Sequence, residues 1–84
     1  MKFAWEENTN KWLKKYRKIS FQEIIYAIEN GQIAGVLEHS NWREYHDIKL
    51  ILIKNTNYTY IVPIIFLYPR EDCFLITIIE VKLH

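Results

Sequence analysis

Several residue types are scarce in this sequence. There is one cysteine, Cys73, so an internal disulfide is excluded and the chain suits a reducing compartment. Only two glycines are present, Gly31 and Gly35, too few for a glycine-rich phosphate loop, which argues against nucleotide binding. Neither sign of charge dominates. Eleven Lys and Arg against ten Asp and Glu leave a net charge of +1, so affinity for nucleic acid has to come from a local patch. The longest apolar run, residues 60–68, contains Pro63 and is far shorter than the roughly 20 residues of a membrane helix. Glu6, Glu7 and Lys11 interrupt any signal-peptide pattern at the start. The expectation is a soluble, cytoplasmic protein with no membrane partner.

What remains is half apolar and rich in aromatic residues, a globular composition. Eighty-four residues suit one domain spanning 1–84, with no internal repeat. Residues 6–30 read as two short amphipathic helices. Asn8 or Asn10 can cap the first, which runs to about Lys18 with Trp12, Leu13 and Tyr16 as its apolar stripe and Lys11, Lys14, Lys15 and Lys18 opposite. The second, over 20–31, is better marked. Ser20 and Glu23 have the spacing of a capping box, and Ile19 and Ile24 that of a hydrophobic staple. Phe21, Ile24, Ile25 and Ile28 repeat at helical period, and Asn30-Gly31 is a helix stop.

After Gln32 the pattern turns to strands, over 33–38, 48–54, 58–67 and 73–82, with a brief strand over 2–5. Residues 55–57 read as a hairpin connection and 68–72 as a turn. Pro63 cannot donate a ladder hydrogen bond, so it marks an edge position or a bulge. The expected fold is α+β: two N-terminal helices packed on a small, mainly antiparallel four-stranded sheet, with the short N-terminal strand beside it. Both faces of the strands are apolar, and two short helices cover one. The other, carrying Ile61, Ile65 and Leu67, is expected to meet a partner chain or a second copy, the alternative being a strongly twisted sheet that half-wraps its own core.

Candidate chemistry gathers in two places. The run Lys14-Lys15-Tyr16-Arg17-Lys18 can contact phosphates, or be a solvated helix face. The loop Glu38-His39-Ser40-Asn41-Trp42-Arg43-Glu44-Tyr45-His46 is the richest polar cluster. Its imidazoles, guanidinium and aromatic rings are groups that can stack a base, hold a phosphate and move a proton near neutral pH. It can equally be a surface loop anchored by Trp42 and Tyr45. No zinc-ligand spacing joins His39, His46, His84 and Cys73, and no cofactor is expected.

These motifs resemble a known group. Phe3-x-Trp5 with Asn10-Lys11, then Ile19-Ser20-Phe21-x-Glu23, resembles the opening of BrnT-type toxins. Glu38-His39-Ser40-Asn41 with Tyr45, Val62-Pro63, and Phe74-Leu75-x-Thr77-Ile78 resemble related small bacterial toxins in the same order. The resemblance implies a RelE/ParE-superfamily fold and the toxin half of a type II toxin–antitoxin pair. It implies metal-independent endoribonuclease cleavage of RNA and a cognate antitoxin of ribbon-helix-helix type. Promoter DNA would be reached only through that antitoxin. On this reading His39 or His46 transfers the proton and Tyr45 orients the nucleotide. Lys14, Lys15, Arg17, Lys18, Arg43 and Lys82 bind phosphate, with Lys82 at the catalytic phosphate. The chain departs from the group's pattern where Ile76, Val81 and Lys82 stand for an expected lysine, serine and arginine. Lysine lacks the bidentate fork of arginine, so the alternative is a catalytically impaired homologue that only binds its antitoxin.

Overall fold

A computed structural model of the chain describes residues 2–41, 43–54, 58–67, 69 and 72–82. The order is β1 (Phe3–Trp5), α1 (Glu7–Tyr16), α2 (Phe21–Glu29), β2 (Ile33–Glu38), β3 (Ile48–Lys54), β4 (Tyr58–Leu67), β5 (Asp72–Leu75) and β6 (Ile79–Lys82). The α+β class and the two helices are as expected. The sheet has six strands, not four, and is mixed. Its path runs β1-β5-β4-β3-β2, with β6 also paired to β4.

Both differences come from pairing between segments distant in the sequence. β1 runs parallel to β5, with Phe3 opposite Cys73 and Trp5 opposite Leu75, and the Cys73 N–H donates to the Lys2 carbonyl at 2.8 Å. The expected last strand, 73–82, is divided in two at Pro63. The register Ile64↔Leu75 places Pro63 opposite Ile76, and the Ile76 N–H does donate to the Pro63 carbonyl at 2.9 Å. Proline has no N–H to complete that pair. When pairing resumes, Ile61 faces Ile79, one residue out of step. Pro63 therefore sits at a bulge of an interior strand, since β3 flanks β4 on the other side, and the extra residue tucks Ile78 into the core.

α2 begins as its sequence requires. The Ser20 hydroxyl accepts from the Glu23 N–H at 3.3 Å, and the Glu23 carboxylate accepts from the Ser20 N–H at 2.8 Å. Gly31 follows the helix with φ of 72°, the left-handed stop that glycine adopts without steric cost. α1 departs from expectation at both ends. Its N-cap is Glu6, with no side-chain hydrogen bond, and it stops at Tyr16, with Lys18 in the left-handed region at φ 57°. Asn10 does not cap α1. It is a buried residue inside that helix, and its Oδ1 accepts the backbone N–H of Phe21 at 2.8 Å while its Nδ2 donates to Gln22 Oε1 at 2.9 Å.

The core lies on one face of the sheet. Ile51, Ile53, Val62, Ile64, Cys73 and Leu75 share that face by register and are buried with Leu13 of α1 and Phe21, Ile24 and Ala27 of α2. Their neighbours Leu50, Leu52, Ile61, Pro63 and Ile65 point to the opposite face and are only half-buried. Leu67 and Ile79 on that face are exposed. The helices thus cover one face, as the sequence predicts, because an α1–α2 pair joined by four residues stays on one side of the sheet. The connection over 55–57, the turn residues 68, 70 and 71, and Trp42 lie outside the described residues, as does the side chain of Lys82.

Candidate functional site

β2 ends at Glu38 and the chain turns over the open face through His39–Asp47 before re-entering as β3. The loop is closed by its own backbone: the Glu44 and Tyr45 N–H groups donate to the Asn41 carbonyl at 3.1 and 2.9 Å, and the Ile48 N–H donates to the Tyr45 carbonyl at 3.0 Å. Asn41 Nδ2 donates to Glu44 Oε2 at 2.9 Å, which ties the tip together. This folding brings the His39 and Tyr45 rings into tilted contact, centroids 4.9 Å apart.

The His39 ring is also oriented from its other side. The Asn41 backbone N–H donates to His39 Nδ1 at 3.0 Å. A backbone N–H can only donate, so Nδ1 carries a lone pair and neutral His39 holds its proton on Nε2. In that tautomer Nε2 is a hydrogen-bond donor and not a base. His46 stands apart, against Asp47 at 3.3 Å with both side chains exposed, a geometry of little energetic weight. Of the two candidate histidines, only His39 belongs to a constructed cluster.

His39 and Ser40 form the polar end of a groove on the open face. Its walls are apolar and include Leu37, Leu50, Ile61 and Ile79, and its volume is about 470 Å³, within the usual range of ligand sites. Glu38 borders the same groove, and its carboxylate is held by Lys49 Nζ at 2.6 and 2.7 Å. That pair was not evident from the sequence. It follows from the β2–β3 register, which sets Glu38 opposite Lys49.

The cationic run lies elsewhere. Lys14, Lys15, Arg17 and Lys18 are exposed on and after the last turn of α1, over the covered face, and no hydrogen bond, ion pair or ring contact joins them to His39 or Tyr45 among the described residues. The expected division of α1 into an apolar stripe and a basic face is corrected here. Only Leu13 of that stripe is buried; Trp12 and Tyr16 are 48% and 60% exposed and touch each other at 5.5 Å. The cations interleave with them, Arg17 over Trp12 at 5.4 Å and Lys15 over Tyr16 at 5.2 Å. Arg43 lies in the loop, exposed, whereas Lys82 of β6 pairs by its backbone with Tyr58 of β4, at the end of that strand away from Ile65 and the His39 loop. Ile61, Ile65 and Leu67 lie on the open face together, and Leu67 is exposed.

Cys73 of β5, beside β1 in the sheet, is buried in the core, and burial pushes its thiol up to about 11. A thiol held protonated at neutral pH does not serve as a nucleophile. Among the described residues no three His, Cys, Asp or Glu side chains gather closely enough to hold a metal ion. None of the described helices is long and apolar enough to cross a membrane. Comparison with family models, with curated proteins and with solved structures finds no match for this chain.

Proposed function

We propose that this protein is a polypeptide-binding module of toxin-like type, which holds a partner chain on the open face of its sheet. One observation carries the reading. The core is one-sided, and the face opposite it is a continuous apolar surface of Leu37, Leu50, Ile61, Ile65, Leu67 and Ile79. Exposed contiguous apolar surface of this kind marks an interaction site. The partner this reading favours is an antitoxin of ribbon-helix-helix type, through which alone the module would meet promoter DNA. The test is co-purification with a short polypeptide encoded beside the gene. Wild type should retain it, and Ile61→Asp and Leu67→Asp should release it. Retention by both variants would remove the open face from the reading.

The second reading is an active endoribonuclease toxin, and the His39–Tyr45 contact favours it. In that case His39 donates a hydrogen bond from Nε2 to a phosphate oxygen, Tyr45 orients the nucleotide, and Arg43 adds positive charge. Stabilising the charge that develops on the phosphate is what such a site contributes most to the rate. Expression of the chain alone should then arrest growth and cleave RNA. His39→Ala should lower cleavage by about 10²–10³-fold, the loss of one charge-stabilising donor. Harmless expression with no cleavage would leave the binding reading alone.

A further inference from the structure

The two lateral edges of the sheet are built differently. One edge is formed by β1, three residues long, and by β6, whose sequence Ile79-Glu80-Val81-Lys82 carries a charge at every second position. Short strands, charges and bulges are the usual guards of an edge, and on β2 the bulge lies at its first residues, before Gly35. The other edge is β2, Ile33-Ala34-Gly35-Val36-Leu37-Glu38, with no proline, lysine or arginine. Its one charge, Glu38, is already neutralised by Lys49. Its apolar residues stand out on both faces, Val36 at 58% and Leu37 at 52% exposure.

Gly35 borders a β-bulge: the β2–β3 register shifts between Ile33 and Gly35, and pairing is regular from Gly35 to Glu38. Gly31 is the one glycine with positive φ, so Gly35 adopts an ordinary backbone. A Cβ built on Gly35 would meet only Leu52 Cδ1, at an ordinary 3.8 Å. A glycine in a strand weakens it; it marks a bulge, and it also leaves room where another chain approaches closely. Gly35 and Leu37 share the open face, opposite Leu52 and Leu50 of β3.

We propose that β2 pairs with β2 of a second copy of this chain, antiparallel about a twofold axis through Val36. That register sets Val36 opposite Val36 and each Leu37 opposite the other copy's Gly35, while Ala34, in the bulge, lies at the margin of the pairing. The large side chain of one strand then lies over the gap in its mate, twice, by symmetry. No like charges meet, and no uncompensated charge is covered. The union is closed, because the guarded β1/β6 edge offers no matching site for a third copy. The twofold stands perpendicular to the sheet, so both helix layers lie on one side and both open faces on the other. A dimer would present two open faces side by side, able to hold a bivalent partner with the gain that linkage brings. This pairing does not depend on what occupies the open face.

The test uses the full chain in light scattering and sedimentation from micromolar to millimolar concentration. Wild type should be a dimer. Val36→Lys and Val36→Glu should each be monomeric, because like charges then face one another across the axis. An equimolar mixture of the two should dimerise again. Val36 is exposed, so circular dichroism should show both variants folded. As a separate measure, Val36→Cys should oxidise to a covalent dimer, since Cys73 is buried and does not compete. A monomeric wild type, a Val36→Lys variant that stays dimeric, a mixture that stays monomeric, or a Val36→Cys chain that does not cross-link would each overturn the proposal. Dimerisation lost on Leu67→Asp but kept in Val36→Lys would instead place the contact on the open face and overturn it equally.

Discussion

The Asn10 side chain, buried in α1, accepts the first free backbone N–H of α2, that of Phe21, at 2.8 Å. The four leading N–H groups of a helix have no partner within it. Here Ser20 satisfies the Glu23 N–H from within α2, and Asn10 satisfies the Phe21 N–H from the helix before. The same amide reaches Gln22, so one residue fixes the two helices against each other. Asn10→Ala leaves the buried Phe21 N–H unsatisfied. The expected loss is about 1–3 kcal/mol, read from urea denaturation. Asn10→Asp keeps the acceptor and loses the Gln22 bond.

The one-sided core gives neighbouring apolar residues unequal weight. Ile64 is buried between sheet and helices, and truncation to alanine should cost about 2–5 kcal/mol. Leu37 is as apolar but exposed on the opposite face, and Leu37→Ala should stay within about 0.5 kcal/mol. Paired denaturation curves at monomeric concentration check both. Equal costs would mean that the second face is also packed.

Cys73 sets a pH dependence. Its folded-state value is raised to about 11 from 9.0, so between these limits the unfolded chain releases its thiol proton and the folded chain keeps it. The folded state then binds more protons, and stability falls as pH rises through this window. Cys73→Ala should flatten that part of the curve, measured by thermal melts above pH 9, while lowering overall stability through the small cavity it leaves.

The His39 tautomer is open to direct measurement. Nitrogen NMR of the neutral protein should show His39 protonated at Nε2 with Nδ1 bare, and His46 should show no such restriction. His39→Asn offers an oxygen near the Nδ1 position and should keep the loop's backbone shifts. His39→Phe keeps the ring contact with Tyr45 and should lose the Asn41 amide's protection from exchange.

Much of this was legible in the sequence, where the deciding interaction is local. The capping box of Ser20 and Glu23 is a three-residue relationship, and the structure contains it. β2, β3 and β4 follow from apolar, strand-forming runs and the punctuation between them. Three features escaped because they depend on distant partners. Asn10 looks like a cap for its own helix, and only the packing of α1 on α2 makes it a cap for the next. Residues 73–82 read as one unbroken apolar strand, and the interruption is imposed by Pro63 on the neighbouring strand. Trp12 and Tyr16 have the spacing of a buried stripe, yet α1 is short, and Leu13 alone reaches the core.

The candidate site divides in the same way. The contact of His39 with Tyr45 follows from a short loop that closes on itself, so its members were visible as a cluster. The separation of that cluster from the basic run was not. Charge composition does not record which side of a sheet a helix occupies, and α1 lies over the face that His39 does not border.

Adjacent residues Ile61 and Val62 offer the most direct test of the open face. They point to opposite sides of β4, and Val62 is fully buried. Thermal melts of Ile61→Asp and Val62→Asp should separate completely. Ile61→Asp should keep a cooperative transition within a few degrees of wild type, and Val62→Asp should abolish it. Loss of folding in both would show that the chain itself needs both sides of the sheet sealed, with no face left for another polypeptide.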